Sequence, residues 1–575
     1  MGGQPFPRAN LYRCALRLPD IADRPRAIAV VTVALFVAAC VGSSGPEVTL
    51  ASNQELHVRL TTEPASFDPG QTQWDYEAAV ARQTFEGLLR TTKDGKDVTG
   101  AAADSYTTDS TGTVYTFKLH SGARWSDGQP VKAADFVYGF QRLLDPRLIA
   151  PNASFYYGIK NGAIVNAMDP KDPDVDAALQ TLGLKAVDDK TFQVTLEAPA
   201  GYFKWIASLW TSAPVRKDIV AKYGKDSGGN DQWGAVGATA AQTVVGNGLF
   251  KILEDVPKDH VTLIPNTNYS GSQRRPTLTK ITEFFISDDT VAYAKYHSGE
   301  LDMTTVPSAY TDALRKSPEL VRVPALKLFW MDMNVQKAPF DNLKVRLAFS
   351  KAIDRDSLAT TVSSRRWIAA STLIPRGMRN YRPDLGAPQK FDPAAAKMTL
   401  ASAGVDAGSL NGVKFLYNSE SSSSKRIADF IQAQLKTNLS VDVVLDPSDS
   451  RTVKRRLRSG DYQFGGPSGW GANYPDSQDW FDIFTTGSGN QSSRWSNKAY
   501  DEAVAAGDSN ADNSKRDAAY ETAAKVLLAE APVTFLCQLS TWEVVKPYVK
   551  GLITTPSDDQ WLGDFFTSAI QIARH

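Results

Sequence analysis

The sequence predicts an α/β protein built as at least two lobes, and three observations carry that prediction. An N-terminal leader of 39 residues leaves 536 of the 575 for the folded body. A single hydrophobic core stops growing near about 250–300 residues, so a body of this length divides. Alternating apolar strands and amphipathic helices recur along the whole body, and one stretch reads strand (413–417), helix (424–435), strand (441–445). That succession pairs parallel strands in an α/β lobe.

The leader carries Arg24 and Arg26 ahead of an apolar run of 13 residues, 27–39. Positive residues, a short apolar run and small residues at a cleavage point make a secretory signal. A bilayer span needs about 20 apolar residues, so this run is too short to be one. Val37-Ala38-Ala39-Cys40 resembles the lipobox of bacterial lipoproteins, which implies acylation of the Cys40 sulfur and a mature chain that begins there. Two or more acyl chains anchor stably where one binds marginally. The 26 residues before the run are long for a charged leader segment: either the true start lies downstream of Met1 or the leader is simply long. Residues 40–54 then form a lipidated tether, small and polar from Val41 to Asn53.

Beyond the tether, Leu56, Val58 and Leu60 alternate with His57 and Arg59, which predicts a strand. The turn Ser66-Phe67-Asp68-Pro69-Gly70 leads to a helical stretch containing 79–85. Tyr115, Phe117 and Leu119 alternate with Thr116 and Lys118 as a second half-buried strand. After Ser126-Asp127-Gly128 and Pro130, the residues Phe136, Val137, Phe140, Leu143 and Leu144 share one helical face, and Asp145-Pro146 stops that helix. Phe192, Val194 and Leu196 form another strand, ended by Pro199. Residues 224–234, rich in Gly, Asp and Asn, read as an exposed loop. Residues 252–263 read as a hairpin turning at Pro257-Lys258-Asp259, and 343–358 as a helix begun by Asp341 or Asn342. Five basic side chains within 451–458 read as a solvated helix face.

Composition narrows the chemistry. With 63 basic and 63 acidic side chains the net charge is zero, so nothing draws in phosphate backbones, and no nucleic-acid partner is expected. Twelve Trp and twenty Tyr suit a cleft that holds ligands by stacking, as well as a core. Cys14 would leave with the leader and, as the lipobox resemblance implies, Cys40 would be acylated. That leaves Cys537, in the strand-like run 531–537, as a buried packing residue, and the exported chain has no intramolecular disulfide. The five histidines are scattered, with no i, i+4 pair on a helix and no cysteine cluster, so a metal site would have to be assembled from distant residues. There is no G-x-S-x-G elbow and no Ser-x-x-Lys motif in a convincing context. Residues 245–248 lack the spacing of a dinucleotide or phosphate loop. Asp288-Asp289 and Asp501-Glu502 are adjacent and do not face one another on a helix. A glycosidase built from two distant acids is left open, and nothing favours it. The expectation is a protein with no catalytic residue, no metal and no cofactor.

Several segments in order resemble the large solute-binding proteins of ABC importers, the oligopeptide, dipeptide and nickel-binding family. They are Ser66-Phe67-Asp68-Pro69, Phe85-Glu86-Gly87-Leu88-Leu89, residues 115–119 with Gly122-Ala123-Arg124-Trp125-Ser126-Asp127-Gly128 and 134–138, Gly246-Asn247-Gly248-Leu249-Phe250 with 266–269, and 298–302. They continue with Pro339-Phe340-Asp341-Asn342, Ala352-Ile353-Asp354-Arg355 and Gly469-Trp470-Gly471-Ala472-Asn473-Tyr474-Pro475-Asp476. The resemblance implies a two-lobed fold of the periplasmic-binding-protein type II, with discontinuous lobes around a ligand cleft. Lobe I would take 55–85, 213–325 and 543–575, an extra subdomain 86–212, and lobe II 326–542. The lobes close on a solute by a hinge motion, and the closed form is presented to permease subunits with its cargo unchanged. The protein would be a monomer, lipid-anchored on the extracytoplasmic face of the cell membrane.

In peptide-binding members of that family the ligand lies extended and pairs its backbone with strand edges. The matching edges here are Gly469-Trp470-Gly471 on one lobe and Gln73-Trp74-Asp75 on the other, the glycines letting a ligand backbone come close. Trp470 and Trp74 would wall the pocket, with Phe155, Tyr157 and Trp330 as further candidates, and each aromatic also has a core reading. Where such members usually place an aspartate for the peptide ammonium, this chain has Asn473. A charge-assisted bond is about twice as strong as a neutral one, so free-amine peptides lose an anchor, with Asp476 or Asp479 as candidates to replace it. Gln73 stands where some members carry an acid, and Lys327 and Gly471 where others carry a cysteine pair. The expected ligand is an oligopeptide, blocked or unusual ones included. The alternatives are an oligosaccharide or another small solute, and, in a different class, a membrane-anchored secreted hydrolase.

Overall fold

A computed structural model describes residues 49–224, 233–558 and 560–575; the leader, Cys40, the first part of the tether and most of the 224–234 loop lie outside them. Residues 49–54, expected to belong to a free tether, are docked. Leu50 bridges to Ala573, and the Gln54 side chain both donates to and accepts from the Ile572 backbone.

Three larger sheets organise the body. In the first, Glu55–Leu60 runs parallel to Lys280–Phe285, which continues antiparallel into His260–Pro265 and Phe250–Val256. Leu56, Val58 and Leu60 are buried as their alternation requires, but so is Arg59. Its guanidinium is satisfied by the carbonyls of Ile286 and Ser287 and by Asp289, the condition on which a charge tolerates burial.

The second sheet has the strand order Ala103–Thr108, Val114–Leu119, Thr191–Thr195, Leu184–Asp188. Helix Ala133–Leu144 packs across it, with Phe136 and Phe140 ring centroids 5.8 and 5.4 Å from that of Phe192.

The third sheet runs Met303–Thr305, Val533–Val545, Leu320–Met333, Phe464–Gly471, Lys414–Asn418, Val444–Ser448, with Ile368–Ala369 added beside Val533–Val545. Lys414–Asn418 and Val444–Ser448 are parallel and joined by helix Ser422–Leu439. The last strand begins three residues later than the apolar alternation predicts. Val441 and Val443 are buried in the approach to the strand, against the same core as Leu435 and Leu439. The single helix expected over 343–358 is two, Leu343–Lys351 and Arg355–Thr361. Asn342 caps the first. The Asp354 side chain accepts from Ser357 N and starts the second, while the buried Arg355 guanidinium takes the Ser350 and Ile353 carbonyls freed at the break.

Leu320–Met333 and Val533–Val545 pair antiparallel over most of their length and link the two lobes. Val323 and Val545 pack in one core, whereas Trp330, Val533 and Phe535 pack in another. Between these halves the register shifts after Pro324, which has no N–H to give the ladder. The result is a two-lobed α/β protein whose lobes communicate through a pair of crossing strands.

Candidate ligand-binding cleft

A crevice opens where the lobes face each other. Arg82, Thr91, Ser208, Leu209 and Trp210 line one side, and Leu326, Lys327, Ala472, Asn473 and Tyr474 the other. Pro556, Ser557 and Phe565 of the C-terminal segment join them. The Arg82 guanidinium is held by Asp564 and lies 4.3 Å above the Phe565 ring centre. Trp210 is fixed by its indole N–H, donated to Thr72 Oγ1 at 2.7 Å.

Gly469, Trp470 and Gly471 end the strand Phe464–Gly471. They pair through one edge with Phe329, Leu328 and Lys327 of the first crossing strand. On the opposite edge, Lys414–Asn418 pairs only with Phe464 and Gly465, so among the described residues the edge beyond them has no strand partner. An extended ligand backbone can pair there, whereas the missing Cβ of Gly469 serves the existing partner strand, since a Cβ would stand 2.7 Å from the Leu328 carbonyl oxygen.

The corner that follows is built around a buried acid. Asp479 accepts from Trp470 Nε1 at 3.1 Å, from the Asn473 backbone N–H at 2.9 Å and from Asn473 Nδ2 at 2.7 Å. Burial pushes its carboxyl up to about 7, with Asp476 adding to the rise and the three N–H bonds opposing it. Asn473 itself is exposed in the crevice. Asp476 forms a buried bidentate pair with Arg516 at 2.5 and 2.9 Å and is thereby closed to a ligand.

The other expected site residues fall differently. Gln73, Trp74 and Asp75 are exposed but make no strand edge. They form the leading turn of helix Asp75–Thr84, and the backbone N–H groups of Gln73 and Trp74 are both taken by Glu77 Oε2. Trp74, at 55% exposure, still stands free to meet a ligand, and the Asp75 carboxylate lies 3.5 Å from Lys327 Nζ of the opposite lobe. Phe155 sits edge-on to Tyr474 at 6.2 Å, beside the crevice wall. Tyr157 is turned to Asn166 on the outer surface and lies outside the crevice lining. Trp330, at 3% exposure, is core: it packs on Phe484 and Phe535 and gives its indole N–H to Asp332. In a central strand the alternate residue faces inward, and Trp330 occupies that face beside Leu328. Arg82, Trp210 and Tyr474 join the lining beyond the residues the sequence singles out. Arg82 and Trp210 are brought in by segments far from the Gly469–Asp476 motif, whereas Tyr474 lies within it, next to Asn473.

The family model for bacterial extracellular solute-binding proteins, family 5, matches residues 97–492, more than half of the chain. The chain belongs to that family. As a family 5 solute-binding protein it is a binding protein and not an enzyme. It is 31% identical to the periplasmic oligopeptide-binding protein OppA of Salmonella typhimurium over 91% of its own length and 94% of the relative's. It is 30% identical to the periplasmic murein peptide-binding protein MppA of Escherichia coli over 92% and 97%. It is also 29% identical to the probable deoxycholate-binding periplasmic protein YgiS of Escherichia coli over 94% and 98%. Among solved structures, the unliganded open form of the murein tripeptide-binding protein MppA superimposes with a TM-score of 0.80 at 28% identity, covering 92% of this chain and 99% of that one. Haemophilus influenzae OppA in complex with RPPGFSPFR gives 0.65 at 26% identity, covering 91% and 100%.

Proposed function

We propose that this solute-binding protein captures oligopeptides, N-terminally blocked ones included, in the interlobe crevice and delivers them to the permease of an ABC importer. The observation that carries the reading is the edge at Gly469–Gly471, which has no strand partner among the described residues and runs directly into the crevice-lining residues Ala472 and Asn473. Backbone pairing there supplies affinity whatever the peptide sequence. The relatives named for oligopeptides and murein peptides support it. Lobe I is assigned to residues 55–85, 213–325 and 543–575, the extra subdomain to 86–212, and lobe II to 326–542. One four-stranded sheet falls within the lobe I bounds and the other within the extra subdomain, which supports those two assignments, while the seven-stranded sheet spans both lobes through Met303–Thr305 and the crossing strands. Acylation of Cys40 would hold the protein at the extracytoplasmic face of the membrane as a monomer.

The test is calorimetric titration of the purified protein with a pool of random pentapeptides, alongside oligosaccharides and deoxycholate. Saturable peptide binding near micromolar Kd, about −8 kcal/mol, is the expected result. Binding of sugar or bile salt without peptide, or mass-spectrometric detection of a cleaved product, overturns the reading. Replacing Cys40 by serine is expected to move the protein from the membrane fraction to the soluble one.

A further inference from the structure

We propose that Asp479 is a positioning residue that decides which ligand termini the crevice accepts, acting through Asn473 rather than by touching the ligand. The proposal rests on the peptide reading above and deepens it. An ionised carboxylate only accepts hydrogen bonds. Asp479 is buried and already takes three N–H groups, two of them from Asn473. Because the Asn473 carboxamide is planar and its Nδ2 is committed to Asp479, Oδ1 is the end left to the crevice. The crevice therefore presents a neutral acceptor, with the negative charge one side chain behind it. An acylated terminus still offers an amide N–H to that oxygen, so acetylation removes little. A free ammonium finds no carboxylate in contact.

The surroundings do not supply the missing charge. Asp476 is held by Arg516 of helix Asn513–Glu530, and the Tyr474 hydroxyl donates to Gln478. Lys327, on the first crossing strand, and Arg82, on the other lobe, line the same crevice with positive charge. Asp75, also on the other lobe, lies against Lys327.

The arrangement distinguishes two substitutions that look alike. Asn473→Asp alone would put two carboxyl groups at the 2.7 Å spacing of the present Nδ2 to Oδ1 bond, where they share a proton instead of both ionising. The swap N473D/D479N keeps the same two groups in reversed order, with the carboxylate outermost and a carboxamide donating to it from behind. A hydrogen bond to a charged group is about twice as strong as a neutral one, so the swap creates a preference for free amines. Protonation of Asp479 makes its carboxyl a donor, which draws Oδ1 of Asn473 inward and turns Nδ2 to the crevice. The wild-type acceptor is then lost as the pH falls through about 7, the value to which burial pushes this group.

The experiment titrates wild type, Asn473→Asp and the swap variant with a random pentapeptide pool and with the same pool N-acetylated, at pH 7.5 and 5.5, where α-amino groups, which titrate near about 7.7–8.0, are mostly ammonium. Wild type is expected to bind the two pools within about threefold at pH 7.5 and both more weakly at pH 5.5. The swap is expected to favour the free-amine pool by about tenfold, with Asn473→Asp in between. An unchanged pool ratio in the swap, or a tenfold preference for free amines in wild type, overturns the proposal. If the swap does not fold by circular dichroism, a flat wild-type pH profile overturns it instead. If folded wild type binds neither pool, the peptide reading falls first and this proposal with it, a result distinct from normal binding with an unmoved ratio.

Discussion

Asp476 and Asp479 are three residues apart, Asp476 in the bend before helix Gln478–Phe481 and Asp479 within it, and do opposite work. Asp479 is the acceptor behind the crevice wall. Asp476 belongs to a fully buried ion pair in which the Arg516 guanidinium also bonds the carbonyls of Gly507 and Gly201 and the Tyr520 hydroxyl. Removing one partner of such a pair strands a charge in the interior. Arg516→Met is therefore expected to destabilise the protein by about 3–5 kcal/mol, read as a lowered denaturant midpoint. Arg516→Lys should recover little, since an ammonium cannot reproduce the planar fork that meets both Asp476 oxygens. At this scale the sequence revealed Trp470 and Asn473 through an ordered motif. It did not separate Asp476 from Asp479, because the partner that commits Asp476 lies 40 residues away. Trp330 looks like a binding aromatic for a similar reason: its composition is the same in a core as in a cleft.

At the scale of elements, period-2 alternation located Val114–Leu119 and Thr191–Thr195, and a helical face with a stop located Ala133–Leu144. These signals depend on one neighbouring layer. What sequence did not reveal depends on two. The break at Asp354 exists because Arg355 turns inward to carbonyls on both sides of it, including Phe535 of the second crossing strand. Gln73–Asp75 became a helix start because Glu77 reaches back to its N–H groups.

The crossing region carries a further consequence. Glu283 of Lys280–Phe285 accepts from Trp561 Nε1 at 3.1 Å, and Glu543 of the second crossing strand accepts from Leu562 N at 3.3 Å. Both are fully buried, and burial pushes each up to about 8 from an ordinary 4.5. The folded state thus holds these protons more tightly than the unfolded chain. Their stabilisation is complete below about pH 4.5 and is lost as the pH rises toward 8. The thermal midpoint is expected to fall between pH 5 and pH 8.5, and Glu543→Gln should make that fall smaller by keeping a neutral acceptor for Leu562. An equal fall in both proteins would remove Glu543 as a source of the pH dependence.

At the scale of the whole molecule, the extra subdomain is tied to lobe II at a place away from the crossing strands. The Gly201 N–H donates to the Asp508 carbonyl at 2.8 Å, and Arg516 reaches back to the Gly201 carbonyl. Lys204 and Asp97 both bond the Asn513 side chain. Only glycine permits this approach, since a Cβ at Gly201 would stand 1.8 Å from the Asn510 carbonyl oxygen. A contact made in one arrangement of the lobes biases the protein toward that arrangement and sets part of what a ligand must overcome or exploit on closing. Gly201→Ala forces the loop and the 508–513 turn apart, so it should broaden the spread of interlobe distances in the ligand-free protein. Spin labels at the exposed positions Asp172 and Lys425, each replaced by cysteine, report that spread by double electron–electron resonance, with the buried Cys537 left unlabelled. Saturating pentapeptide should narrow the distribution again, because a ligand held by both lobes replaces the lost tie. A ligand-free distribution in Gly201→Ala that overlays the parent would mean that the crossing strands alone fix the lobes and that the Gly201 contact is passive packing.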